Sequence, residues 1–156
     1  MEELIKKAEE KGIDVEDLII FTLSKEDPSE GIKMRIELAK KYMAEAEEYL
    51  KKGDAVQASE KAYKVAEEVL KALAEKFNTP EYQQAVKEGR WYTYLLSKAT
   101  NTLSSTLGDK IIKGWSSAYL LHVWGFHEAK LETKDIMSYI NVVKEMLEEA
   151  NKYLSM

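Results

Sequence analysis

Two long amphipathic stretches meet at Gly53-Asp54 with no linker between them, and no other feature constrains the fold as tightly. Asp27-Pro28 opens the first stretch. The Asp side chain can accept from the free N–H groups of a first turn, and Pro suits the first helical position. Apolar residues then recur at Ile32, Ile36, Ala39, Met43, Ala46 and Leu50, the spacing of one helical face. Gly53 suits the left-handed backbone that ends a helix, and Asp54 caps the next one at once. Helices joined so tightly must fold back antiparallel, as an αα-hairpin. The second arm, Ala55 to Phe77, has small residues on more than one side, with Val65, Val69, Leu70 and Leu73 supplying bulk. It should be the central helix.

The same punctuation runs through the rest of the chain. Residues 2–11 read as a helix ended by Gly12, and Asp14 caps a short one from Val15 to Leu23. The run Leu18-Ile19-Ile20-Phe21 in that helix is expected to be buried. Thr79-Pro80 starts a helix that ends near Gly89, and another runs from about Trp91 to Leu107. Gly108 precedes a helix from about Lys110 to Leu131, and Thr133 can cap the last, whose stripe is Ile136, Ile140, Val143, Leu147 and Ala150. No segment alternates as a strand does. The expected fold is all-α: an antiparallel helical bundle over 27–156, with a short helical N-terminal extension over 1–26.

Composition sets limits on function. There is no cysteine, so thiolate and disulfide chemistry are excluded. The net charge of −5 does not support sequence-independent binding along nucleic acid, which depends on neutralising phosphates. No apolar run approaches the roughly 20 residues of a membrane span, and the charged N-terminus lacks a signal-peptide core. A cytoplasmic protein with no membrane association is expected. The Lys/Glu-rich charge, with few Asn and Gln, is the habit of thermophile proteins. Phosphate loops, metalloprotease motifs and nucleophile elbows are absent, so no cofactor is expected.

Both histidines and two of the three tryptophans lie in 115–131. On a regular helix of about 100° per residue, His122 and His127 are about 140° apart. They cannot then share one metal as an i,i+4 pair does, so no metal site is expected. One reading makes them hydrogen-bonded core histidines. The other places His127, Glu128 or His122 in a cleft, where imidazole suits acid/base work near neutral pH. No catalytic role is assigned, and His127, Glu128 and His122 are the candidates. Arg90 is one of two arginines and sits beside Trp91. The guanidinium fork suits phosphate or carboxylate recognition, and the indole can stack on a planar group. Arg90, Trp91, Trp124 and His127 are therefore the candidate ligand-binding residues.

The run Gly53-Asp54-Ala55-Val56-Gln57-Ala58-Ser59-Glu60-Lys61-Ala62-Tyr63 resembles the core of the archaeal PaREP family. Leu121-His122-Val123-Trp124-Gly125-Phe126-His127-Glu128-Ala129 resembles its second signature, and Gly89-Arg90-Trp91 the segment between. The resemblance runs from about Ile13 to Leu147. It implies a HEPN-like helical bundle, a homodimer, and a partner such as a nucleotidyltransferase in a toxin–antitoxin pair. Ribonuclease HEPN domains carry an Arg a few residues before a His. The corresponding positions here are Trp115, Ser116 and Ser117 before His122, and Leu120, Leu121 and His122 before His127. None is Arg. The leading expectation is therefore a helical binding or interaction module. The alternative is a ribonuclease or phosphotransfer enzyme using His127, Glu128 and Arg90.

Overall fold

The structure is a computed structural model that describes residues 1–154. Among these residues the elements are helices and no strand occurs. In chain order they are α1 (Glu2–Glu10), α2 (Val15–Glu26), α3 (Pro28–Lys51), α4 (Ala55–Lys76), α5 (Pro80–Glu88), α6 (Thr93–Leu107), α7 (Asp109–Leu120), a π-helical segment (Leu121–His127) and α8 (Thr133–Leu154).

The expected caps form. Asp14 accepts from Asp17 N–H at 2.9 Å, Asp27 from Ser29 N–H at 3.1 Å, Asp54 from Gln57 N–H at 3.0 Å and Thr79 from Tyr82 N–H at 3.2 Å. Gly53 has φ +78°, a left-handed conformation that turns α3 back against α4. Helix α4 is the centre of the bundle and packs on α3, α5, α6, α7, α8 and the π segment. Its alanines from Ala58 to Ala74 are buried, so neighbours approach on several sides.

Four local expectations are corrected. Leu18 and Ile19 are 47% and 54% exposed, and only Ile20 and Phe21 of that run are buried. Helix α2 is so short that the bundle covers one face of it. Trp91 and Tyr92 precede α6 as an extended lead-in, with Tyr92 at φ −91° and ψ 152° and Trp91 N–H held by Asp17. The seventh helix does not run regularly to Leu131: it becomes a π segment and stops, with Ala129 at φ +52° and Lys130 N–H on Trp124 O. Thr133 is itself the first residue of α8, and Asp135 reaches back to accept from Glu132 N–H at 2.9 Å.

The buried face of α3 is rotated from the expected stripe. Ile32, Ile36 and Leu50 are half-buried, whereas Gly31, Arg35 and Tyr42 are buried. Arg35 belongs to an ion cluster that pins α2 onto the bundle. Asp17 Oδ1 accepts from Arg35 at 2.8 Å and from Lys71 at 3.1 Å, while Oδ2 accepts from Trp91 N–H at 2.9 Å. Glu68 completes the cluster on Arg35 at 3.0 Å. No helix among the described residues is long and apolar enough to cross a membrane.

Candidate functional site

Helix α4 has one charged face in an otherwise apolar element. Glu60, Lys64 and Lys71, with the adjacent pair Glu67 and Glu68 between the last two, are spaced by three or four residues, which aligns them on a helix. The two clusters of candidate side chains lie along this face.

At one end is a chain of three titratable groups. Glu60 Oε1 lies 2.8 Å from His122 Nδ1, and His122 Nε2 lies 3.0 Å from His127 Nε2. The π segment makes this possible. Its hydrogen bonds span five residues rather than four, as in Glu128 N–H to Val123 O at 2.8 Å, so residues five apart come nearly into line. The expected 140° separation is thereby overturned: the imidazole centroids are 4.3 Å apart. Gly125 lets the segment lie against α4, where any Cβ would enter the side chain of Ser59. The Tyr63 ring stacks on His122 at 3.9 Å, and Phe126 lies on its other neighbouring side at 6.1 Å. His122 is half-buried and His127 exposed. Glu60 Oε1 accepts from His122 Nδ1–H in the tautomer that leaves a lone pair on Nε2.

At the other end is a polar pocket of about 210 Å³, walled by Glu16, Lys64, Glu67, Lys71, Arg90 and Trp91, among others. Burial pushes Glu67 up to about 7, with Lys71 opposing and Glu68 reinforcing the shift. Glu16 is raised too, first by burial and then by Glu68. Burial works to raise Asp17, but Lys71, Arg35 and the Trp91 N–H together hold it below the usual carboxylate range. Burial likewise works against the Lys71 charge, and Glu68 and Asp17 prevail, so it stays protonated. Arg90 Nη1 donates to Gly12 O at 2.8 Å and its guanidinium lies 4.7 Å from the Tyr92 ring centre. Arg90 Nε–H and Trp91 Nε1–H are buried and have no partner among the described residues.

The structure thus brings His122 together with His127, and Arg90 together with Trp91. Arg90 and Trp91 wall the polar pocket, and neither histidine does. Tyr63 stands between the two clusters, with its ring on His122 and its hydroxyl hydrogen-bonded to Thr93 at the pocket edge. Trp124 is 50% exposed and Glu128 is exposed on the outer side of the π segment. Sequence reasoning missed Glu60, Lys64, Glu67 and the Asp17–Arg35–Glu68–Lys71 cluster. One signal was available: charges recurring at helical spacing inside the helix expected to be central.

Residues 34–147 match the sequence model of the archaeal PaREP1/PaREP8 family. A protein from Sulfolobus solfataricus, known from a crystal structure, is 43% identical and superposes with a TM-score of 0.69, covering 75% of this chain and 96% of that one. A solution structure from the same structural-genomics target is 42% identical, with a TM-score of 0.66 over 76% of this chain and 92% of the other. No curated protein matches this chain.

Proposed function

The chain belongs to the archaeal PaREP1/PaREP8 family, and we propose that it serves as a helical binding module whose ligand is a small zwitterion, such as a free amino acid, held in the polar pocket. One observation carries the reading: Arg90 and Trp91, whose buried Nε–H and Nε1–H have no partner among the described residues, belong to the wall of a pocket that also contains acids. Unmet donors favour an acceptor group, and a carboxylate beside Arg is the strongest such match. A lone oxyanion, however, would sit beside Glu16 and Glu67. A lone cation would leave both donors unmet. A molecule with a carboxylate at one end and an ammonium at the other satisfies both walls. The volume is below the roughly 300–1,000 Å³ of drug-sized ligand pockets, which argues against a whole nucleotide.

The experiment is a titration of amino acids into the protein, followed by NMR on the Trp91 indole N–H and by calorimetry. A saturable shift of the Trp91 indole is expected, with affinity reduced by about tenfold or more in Arg90→Ala. An unmoved Trp91 indole at millimolar ligand would refute the reading. Binding should tighten as pH rises through about 7, because an ammonium favours the ionised form of Glu67.

The Glu60–His122–His127 chain favours the second reading, an acid/base enzyme. A ribonuclease using His127, Glu128 and Arg90 draws less support, since Arg90 is engaged by Gly12 and Tyr92. RNA cleavage abolished by both His127→Ala and Arg90→Ala would establish it over the binding reading. HEPN-like assembly as a homodimer, and pairing with a toxin–antitoxin partner, fit a bundle with apolar surface on its N-terminal helices.

A further inference from the structure

We propose that His122 and His127 together chelate a divalent transition-metal ion, of the zinc, nickel or cobalt class, on the open side of the π segment. The site lies outside the polar pocket and does not depend on a zwitterionic ligand.

The argument starts from the nitrogens. Their Nε2 atoms are 3.0 Å apart. Two metal–nitrogen bonds of about 2.0–2.1 Å meeting near a right angle place their nitrogens about 3 Å apart. The ring planes are 79° apart and the centroids 4.3 Å apart. That is closer than two imidazoles joined end to end through a straight N–H···N bond at this distance, so the rings meet obliquely. His127 is exposed, so its ring can adjust by the few tenths of an ångström that a wider angle requires.

Tautomers agree with the geometry. Glu60 Oε1, 2.8 Å away, accepts from His122 Nδ1–H in the tautomer whose Nε2 lone pair faces His127. A carboxylate behind a ligating imidazole is the common outer partner of metal-bound histidine, since it fixes the ring and raises its basicity. Tyr63, stacked at 3.9 Å, holds the same ring from its face. His127 can carry its own proton on Nδ1, on the solvent side, when Nε2 binds metal. Both ligands are then neutral, as imidazole–metal bonding requires, and no proton leaves the pair.

Among the described residues no cluster of three or more His, Cys, Asp or Glu can hold a metal. The protein therefore supplies two ligands, and water fills the remaining positions from the exposed side. Imidazole pairs suit zinc, nickel and cobalt rather than calcium or magnesium. The spacing is the unusual part. A five-residue interval chelates only where the backbone is π-helical, and the sequence interval alone excluded it.

The test uses the untagged full chain, with Co²⁺ followed by visible absorption and Zn²⁺ by calorimetry. One equivalent should saturate the wild type. His127→Ala changes an exposed side chain and keeps the fold, which circular dichroism verifies. It should remove the saturable phase. Glu60→Gln, which can still accept a hydrogen bond but lacks the charge, should weaken binding about 10–100-fold. In the apo protein, ¹⁵N shifts should show His127 protonated on Nε2, moving to Nδ1 with Zn²⁺. Binding by the wild type no tighter than by His127→Ala would overturn the proposal. So would a Glu60→Gln variant that binds as tightly as the wild type with unmoved His127 resonances.

Discussion

Arg35 is 1% exposed, yet it is charged, and its fate shows how this core tolerates ions. Burying two cations is costly unless each is paired, and Asp17 and Glu68 supply the pairs. Asp17 is the keystone, because Arg35, Lys71 and a backbone N–H all converge on it. Asp17→Ala should therefore cost about 3–5 kcal/mol in chemical denaturation, since buried Lys71 loses its ion-pair partner and Arg35 keeps only Glu68. Glu67 behaves in the opposite sense. Its pKa is raised on folding to about 7 from 4.5, so its contribution is present in full below the unfolded pKa and is lost as pH rises through about 7. Glu67→Gln should raise the melting temperature at pH 8 and leave it nearly unchanged near pH 4. A melting temperature that falls at pH 8 would show that Glu67 is ionised and paired. The histidines differ by burial. His122→Ala removes a stacked ring and its bond to Glu60, at about 2–4 kcal/mol. His127→Ala should cost less, and thermal melts in the reverse order would refute the assignment.

At the scale of elements, what the sequence reveals is what is local. Asp14, Asp27, Asp54 and Thr79 each bond within three residues, so the helix starts they mark can be read directly. Gly53 needs only its own φ. The ion cluster is different: it joins positions 17, 35, 68 and 71, and the apolar stripe of α3 disguised which face Arg35 occupies. The π segment is harder still. No residue type specifies a five-residue hydrogen-bond step, so His122 and His127 looked divergent until the backbone was known. Gly125 was the available hint, and it carries its own prediction. A Cβ there enters Ser59 Oγ and Cβ, so Gly125→Ala should destabilise by about 1–3 kcal/mol. Ser59→Gly in the same chain should restore most of the loss, because it removes the atoms met. A double variant no more stable than Gly125→Ala alone would mean that the penalty lies in the helix rather than in the packing.

The whole molecule is asymmetric in how it covers apolar surface. The N-terminal pair leaves the aliphatic Leu4, Ile13, Leu18, Ile19 and Leu23 between 37% and 67% exposed, whereas the exposed large apolar side chains of the bundle, Ile112 and Met137 apart, are aromatic. Ile5, Ile13, Val15 and Ile19 border a single groove beside Arg90. Scattered apolar side chains are ordinary on a surface, but a contiguous group marks a contact. The helix pair is also fixed in place, since Asp17 anchors α2 and Arg90 holds the α1–α2 turn at Gly12. A fixed face of this kind, with its aliphatic residues bordered by Glu9, Asp14, Glu16 and Arg90, suits a two-fold interface, in which the same patch meets its copy. Light scattering should therefore report twice the chain mass at micromolar concentration. Ile19→Glu places a charge at the centre of the groove without touching the core, and should yield a monomer. Circular dichroism on that variant should show unchanged helix content. A wild type that scatters as a monomer across micromolar concentrations would remove the dimer, and the exposed N-terminal face would then have to serve a different protein.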